Sequence, residues 1–402
     1  MLQAFLDSIT KPSELAALYK YKFAPKSSSA RRLQQTLAKD APKKRCYDFL
    51  NMTSRSFAAV IQELDDELRD AVCLFYLVLR GLDTIEDDMT LDLDRKVELL
   101  RSFDQIIYKK GWTFTENELL RLKPEFQAVI ANITKLMGNG MADYATGEHR
   151  ENTSVATIKD FDLYCHYVAG LVGYGLSDLF AASGLESEEV AEDKALSNSM
   201  GLFLQKTNII RDYREDLDDG RQFWPREIWG KYADKFSDFT KPENKLKAQY
   251  CLSNMVLNVL DDVPQVLTYL SKLRNQSVFN FCAIPQVMAI STLALVFNNL
   301  DIYQRNIKIR KGEAVKLIMD STDMDNVVSI FRHYIFEISR KNEATDPNFM
   351  EISMAIGRIE QWIAANYKPS PKALQKAQQP NLFLPILLGL IGVIFINYFK
   401  SA

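Results

Sequence analysis

The chain has 402 residues, of which 47% are hydrophobic and 25% charged, with only 16 glycines and 13 prolines. That composition suits a large packed core under a polar surface and leaves long uninterrupted stretches for helices. A formal net charge of -3, with no basic stripe interleaved with aromatics, gives no reason to expect nucleic acid as a partner.

In chain order, Met1 to Asp7 shows no basic start followed by an apolar run, so no secretory signal is expected. Residues 1–45 read as a partly exposed arm, polar and basic from Lys26 to Arg45. One helical domain is expected over 46–367. Phe57, Val60, Ile61, Leu64 and Leu68 recur at helical spacing after Thr53 or Ser54 as cap. Cys73 to Leu82 is almost wholly apolar, with Arg80 its one charge. Further helices are expected near 91–109, 117–141, 159–182, 193–216, 244–273, 283–299 and 326–340. No two-residue alternation of strand length breaks the pattern, so the expected class is all-α.

The five cysteines are far apart, odd in number and mostly inside apolar runs, which reads as reduced core thiols without metal or redox spacing. Three scattered histidines cannot build a zinc site, and His166 reads as a satisfied core residue. At the far end, a linker over 368–381 leads to Leu382–Phe399, eighteen residues in which Asn397 is the one strongly polar member. At 1.5 Å per residue that run spans about 27 Å, the length of a membrane-crossing helix. Lys368, Lys372 and Lys376 outnumber Lys400, so the main domain is expected on the cytosolic side of a tail anchor in membrane lipid.

Two acidic clusters of one form stand out, Asp83-Thr-Ile-Glu86-Asp87 and Asp212-Tyr-Arg-Glu215-Asp216. On a helix, positions i, i+3 and i+4 share a face, so each cluster presents three carboxylates together. Such anions repel unless a hard cation gathers them; Mg²⁺ takes oxygen ligands and bridges carboxylates to phosphate oxygens. Two such faces opposed would hold a diphosphate. For one cluster alone a solvated surface face is the simpler reading. Two copies, each on an apolar helix and each beside an arginine, Arg80 or Arg211, argue against it. Gln205, Asn208 and Asp212 fall on one stripe of an otherwise apolar segment, costly unless those groups meet a ligand.

These residues carry a resemblance. Tyr76–Asp88, Tyr164–Gly173, Gln205–Asp212, Phe223-Trp224-Pro225 and Ser277–Met288 follow, in order, the pattern of the squalene synthase family of head-to-head isoprenyl diphosphate synthases. The resemblance covers about Cys46 to Gly312, and several ordered motifs make it specific. It implies a single isoprenoid-synthase-type helical bundle around a central cavity, with the C-terminal transmembrane helix added.

It further implies a farnesyl-diphosphate farnesyltransferase, which condenses two farnesyl diphosphates to presqualene diphosphate and then reduces that to squalene with Mg²⁺ and NADPH. The implied setting is the endoplasmic reticulum membrane, with a monomeric catalytic domain. Asp83, Glu86, Asp87, Asp212, Glu215 and Asp216 correspond to the metal-binding acids, and Tyr164 and Phe281 to catalytic positions. Ser54, Arg55, Phe57, Tyr76, Arg80, Gln205, Asn208, Arg211, Lys308 and Arg310 correspond to substrate- or cofactor-binding positions. An ordinary ion pair is the competing reading of each arginine, and a solvated helix end that of Lys308 and Arg310. Phe57, Phe281, Met200, Leu204 and Leu176 suit the walls of a carbocation chamber or plain core. The proton lost in forming a cyclopropane goes to Tyr164 or to the departing diphosphate. The alternatives are a phytoene- or dehydrosqualene-type synthase without reduction, and a silent isoprenoid-binding scaffold.

Overall fold

A computed structural model describes residues 11–23, 28–88, 90–111, 116–146 and 155–371. Among these every regular element is helical. The described residues up to Gln361 pack as one unit, and a second unit begins at Trp362. The 382–399 run and most of the expected linker lie outside the described residues.

Two long helices organise the first unit. Asp66–Asp87 buries Leu68, Ala71, Val72, Phe75, Val78, Leu79 and Leu82, the recurring three-and-four spacing of a core-facing stripe. It packs on the helices Pro124–Thr146, Leu93–Ile106 and Ala41–Thr53. Lys194–Arg211 packs on Leu171–Ala182, Val263–Lys272 and Gln276–Val296. The last of these is, among the described residues, the one helix long and apolar enough to cross a membrane. It is instead buried on nearly every side, from Val278 through Val296, which makes it the core of the bundle.

Several expected helices are divided, each by a local cause. The 244–273 stretch forms Lys245–Leu260 and Val263–Lys272, because Pro264 has no N–H to continue the ladder and sits instead in a first turn. The 193–216 stretch breaks at Asp212 into Lys194–Arg211 and Tyr213–Asp218. The 159–182 stretch is interrupted by a π turn, His166–Gly170, between Ile158–Cys165 and Leu171–Ala182. Such turns insert one residue into an α-helix and recur at functional sites. Gln276–Val296 starts earlier than its apolar run, because the Asn275 side chain accepts from the Ser277 and Val278 N–H groups. The basic N-terminal stretch is helical over Ser28–Leu37, with Arg31 and Arg32 at the surface and Leu33 buried.

Two glycines let the central helices meet at backbone distance. A Cβ on Gly173 would lie 2.1 Å from the Ser197 carbonyl oxygen, and one on Gly201 2.2 Å from that of Ala169. Both neighbours are backbone and cannot step aside. Gly201→Val is therefore expected to cost about 1–3 kcal/mol or more through overpacking. The measurement is the thermal midpoint of the purified protein; an unchanged midpoint would mean that these helices part freely.

Candidate active site

Asp83, Glu86 and Asp87 occupy the last turn of Asp66–Asp87, where the helix carbonyls already carry partial negative charge and the turn itself holds no basic residue. Locally this is an unfavourable place for three acids. The end is tied down by Lys96, whose ammonium donates to the Glu86 carbonyl at 2.7 Å. Asp212 and Asp216 come from the break after Lys194–Arg211, where the Asp216 N–H still donates to the Asp212 carbonyl at 2.9 Å. The residue that follows Asp212, Tyr213, turns fully into the core. Its hydroxyl donates to the Phe236 carbonyl at 2.6 Å, and its ring meets Trp224 edge-on at 5.2 Å. Trp224 Nε1 in turn donates to the Ile209 carbonyl at 3.1 Å. An aromatic block thus fixes the second motif from behind.

The two motifs face one cavity of about 330 Å³, lined by Arg80, Asp83, Glu86, Asp87, Tyr164, Gln205, Asn208, Asp212, Asp216, Arg221 and Phe223 among others. Loss of water in this concave mouth pushes Glu86 up to about 8, with Asp83 and Asp87 adding repulsion. Desolvation likewise lifts Asp83 and Asp216 to about 6, against the pull of Arg80 and Arg221 respectively. Five carboxylates and two guanidiniums line the mouth, an excess of negative charge suited to a divalent cation. Among the described residues no three acids, cysteines or histidines converge closely enough to hold such an ion as they stand.

Val168, Gln205 and Asn208 also line a second, mainly apolar cavity of about 220 Å³. Phe57, Leu176, Phe180, Met200, Leu204 and Phe281 form its walls. Phe281 stands edge-on to Phe180 at 6.0 Å, with an interplanar angle of 83°. Pro285 and Gln286 lie there too; Gln286 Nε2 donates to the Met200 carbonyl at 3.0 Å, and its buried Oε1 has no hydrogen-bond partner.

Tyr164 sits between acids and aromatics. It stacks on Phe223 at 5.0 Å and 16° and meets Tyr144 edge-on at 5.3 Å. Burial, and then the carboxylates of Glu86, Asp83 and Asp87, push its phenol well above the usual tyrosine range. In this state Tyr164 keeps its proton.

The other sequence candidates are dispersed. Arg80 is about half exposed, 3.9 Å from Asp83. Arg211 holds Asp212 bidentately at 2.8 and 2.5 Å. Glu215 is exposed and accepts from Asn306 at 2.6 Å, turned aside from the acids that line the mouth. Arg310 pairs with Glu14 at 2.7 Å and Glu313 at 2.8 Å, while Lys308 is exposed; neither lines these cavities. Tyr76 is half-buried, one turn before Arg80, and Ser54 is buried where the helices Ala41–Thr53 and Arg55–Ile61 join. The Arg55 side chain lies outside the described residues. Unassigned in the sequence reading, Val168, Arg221 and Phe223 all line the polar mouth. For Arg221 the available signal was the glycine before it, a helix-stop residue placed just past an acidic helix.

A family pattern described as squalene/phytoene synthase matches residues 50–313. The squalene synthase of Schizosaccharomyces pombe is 55% identical over 337 residues, which cover 79% of this chain and 73% of that one. That of Rattus norvegicus is 47% identical over 371 residues, covering 88% of each. A solved structure of TcSQS with the ligand BPH1237 superposes with a TM-score of 0.77 at 42% identity, covering 81% of this chain and 99% of that one.

Next to Gln205, Lys206 is buried between Asp162 at 2.8 Å and Asp262 at 3.1 Å. Burial works against its charge, but the two carboxylates outweigh burial and raise its pKa. Asp262, itself lifted to about 6 by burial, stays ionised near neutrality. Lys206→Met is expected to lower stability by about 3–5 kcal/mol, the usual cost of stranding a buried charge. Denaturant unfolding measures it, and a loss under about 1 kcal/mol would show the pair to be dispensable.

Proposed function

The chain belongs to the squalene/phytoene synthase family, and from that membership and its two-part cavity we infer that it makes squalene from two molecules of farnesyl diphosphate. The observation that carries this reading is the wall of Val168, Gln205 and Asn208 shared by an acidic mouth and an apolar chamber. A prenyl diphosphate has the matching polarity, an anionic head and a hydrocarbon tail. The two farnesyl units join head to head as presqualene diphosphate, with loss of pyrophosphate and a proton. A second ionisation, rearrangement and hydride transfer then give squalene.

The mouth fits magnesium by charge and by donor type, and Asp83, Glu86, Asp87, Asp212 and Asp216 would hold it. Bound there, magnesium supplies charge neutralisation of the leaving pyrophosphate. Arg80 is free enough to bind phosphate oxygens, and Gln205 and Asn208 orient the substrate where head and tail part. Phe281, Phe57 and Leu176 exclude water from the cation and offer polarisable or π faces to it. The proton lost on cyclopropane closure goes to the released pyrophosphate or to Tyr164, whose phenol is held protonated by burial and the neighbouring carboxylates while no cation offsets those acids.

The hydride comes from NADPH, and we assign its phosphates to scattered cations, Arg55, Arg80, Arg211, Lys308 and Arg310. Support comes from Asn306, which ties the segment carrying Lys308 to the second acidic motif through Glu215. Arg310 reaches a phosphate only by releasing Glu14. We also propose that 382–399 anchors the chain in the endoplasmic reticulum membrane with the catalytic domain, 46–367, in the cytosol. The eighteen-residue apolar run and its flanking lysines support this.

Incubation with farnesyl diphosphate and Mg²⁺ should yield squalene only when NADPH is present; dehydrosqualene regardless of NADPH would sink the reductive assignment. Asp83→Asn and Asp212→Asn should each abolish pyrophosphate release with an unchanged circular dichroism spectrum, and near-normal release from either would contradict the two-motif site. Removing Asn381 to Ala402 should give a soluble protein that still turns over. Loss of turnover in a well-folded truncation would place part of the site in the tail.

A further inference from the structure

Arg221 touches both acidic motifs at once. Its guanidinium lies 3.3 Å from Asp87 Oδ1, 3.2 Å from Asp216 Oδ1 and 3.2 Å from Asp219 Oδ2. The backbone aims it there. Gly220 adopts φ +71°, its N–H donates to the Leu217 carbonyl at 3.2 Å, and the Arg221 N–H donates to the Asp216 carbonyl at 2.7 Å. That pair of bonds around a left-handed glycine is a Schellman cap, which folds the chain back over the end of Tyr213–Asp218. Arg221 therefore returns onto the motif that precedes it and reaches across the mouth to the other.

We propose that Arg221 is a placeholder cation, which bridges the two acidic helices before metal arrives and then exchanges Asp87 for the diphosphate of the substrate. The proposal rests on the reading that these acids bind magnesium. Without a positive charge between them Asp87 and Asp216 repel, and a planar guanidinium can serve two carboxylates together. The same fork matches phosphate oxygens bidentately. A metal entering the substrate-free mouth must displace Arg221 from Asp87, so the arginine holds metal affinity down. Diphosphate gives the arginine a new partner and lifts that opposition, so metal and diphosphate favour each other's binding reciprocally.

The test is two titrations of the full chain. Mn²⁺ is bound to the substrate-free protein, followed by electron paramagnetic resonance, and inorganic pyrophosphate is bound at saturating Mg²⁺, followed by calorimetry. Arg221→Gln should bind Mn²⁺ more tightly than wild type, by roughly threefold or more, while binding pyrophosphate roughly tenfold more weakly, the scale of a lost charge-assisted hydrogen bond. Arg221→Lys, which keeps the charge and loses the fork, should fall between. Opposite signs in the two titrations separate a placeholder from a structural residue, whose loss would weaken both. Mn²⁺ affinity unchanged or reduced in Arg221→Gln overturns the proposal. Asp83→Asn in the same series tells the two failures apart. If it loses Mn²⁺ while Arg221→Gln matches wild type, the metal reading stands and the placeholder falls; if it also binds like wild type, both fall.

Discussion

Desolvation of carboxylates crowded into one poorly hydrated mouth, with their mutual repulsion added to it, is the constraint on which this structure depends. Glu86, Asp83 and Asp216 are all lifted above the ordinary carboxylate range, which marks the protonated form as the easier one to fold around. The first motif also sits at the negative end of its helix. Neither arrangement favours folding, so rigid supports must keep the acids facing one another. The aromatic block behind Tyr213, the glycine contacts between central helices, the buried Lys206 and the Arg221 bridge all serve that end.

Those supports also explain the division of the cavity. Gln205 and Asn208 lie on the same helix as Lys206, which is pinned by ion pairs on its buried side. Their amides therefore stand at a fixed height between acids and aliphatics. A ligand with one charged and one oily end meets each kind of wall without rearranging the helix that carries both.

Much of this was legible in the chain. Carboxylates at three-and-four spacing could be placed on a common face, and the stripe Gln205, Asn208, Asp212 could be recognised as a costly set of polar groups. Phe281, Phe57, Met200, Leu204 and Leu176 all line the apolar chamber. Glu215 shares the spacing but does not line the mouth; its carboxylate accepts from Asn306, a partner 91 residues away that spacing does not reveal. Arg221 escaped because its direction is set by the positive φ of Gly220, a tertiary outcome of one backbone angle. Arg310 shows the opposite limit. Its charge is plain in the sequence, but its partner Glu14 lies far away in the chain and only the packed fold brings them together.

The π turn at His166–Gly170 has one more implication. A single surplus residue shifts the phase of everything downstream by about 100°, since a helix turns that far per residue. Upstream of it the phase is set by Tyr164, stacked on Phe223 at the acidic mouth; downstream it is set by Gly173, which must face Ser197. A straight α-helix would have to sacrifice one alignment to keep the other. The widened turn works as a gear between two incompatible registers, so shortening this loop of backbone by one residue would throw chemistry and packing out of step even if every named side chain were kept.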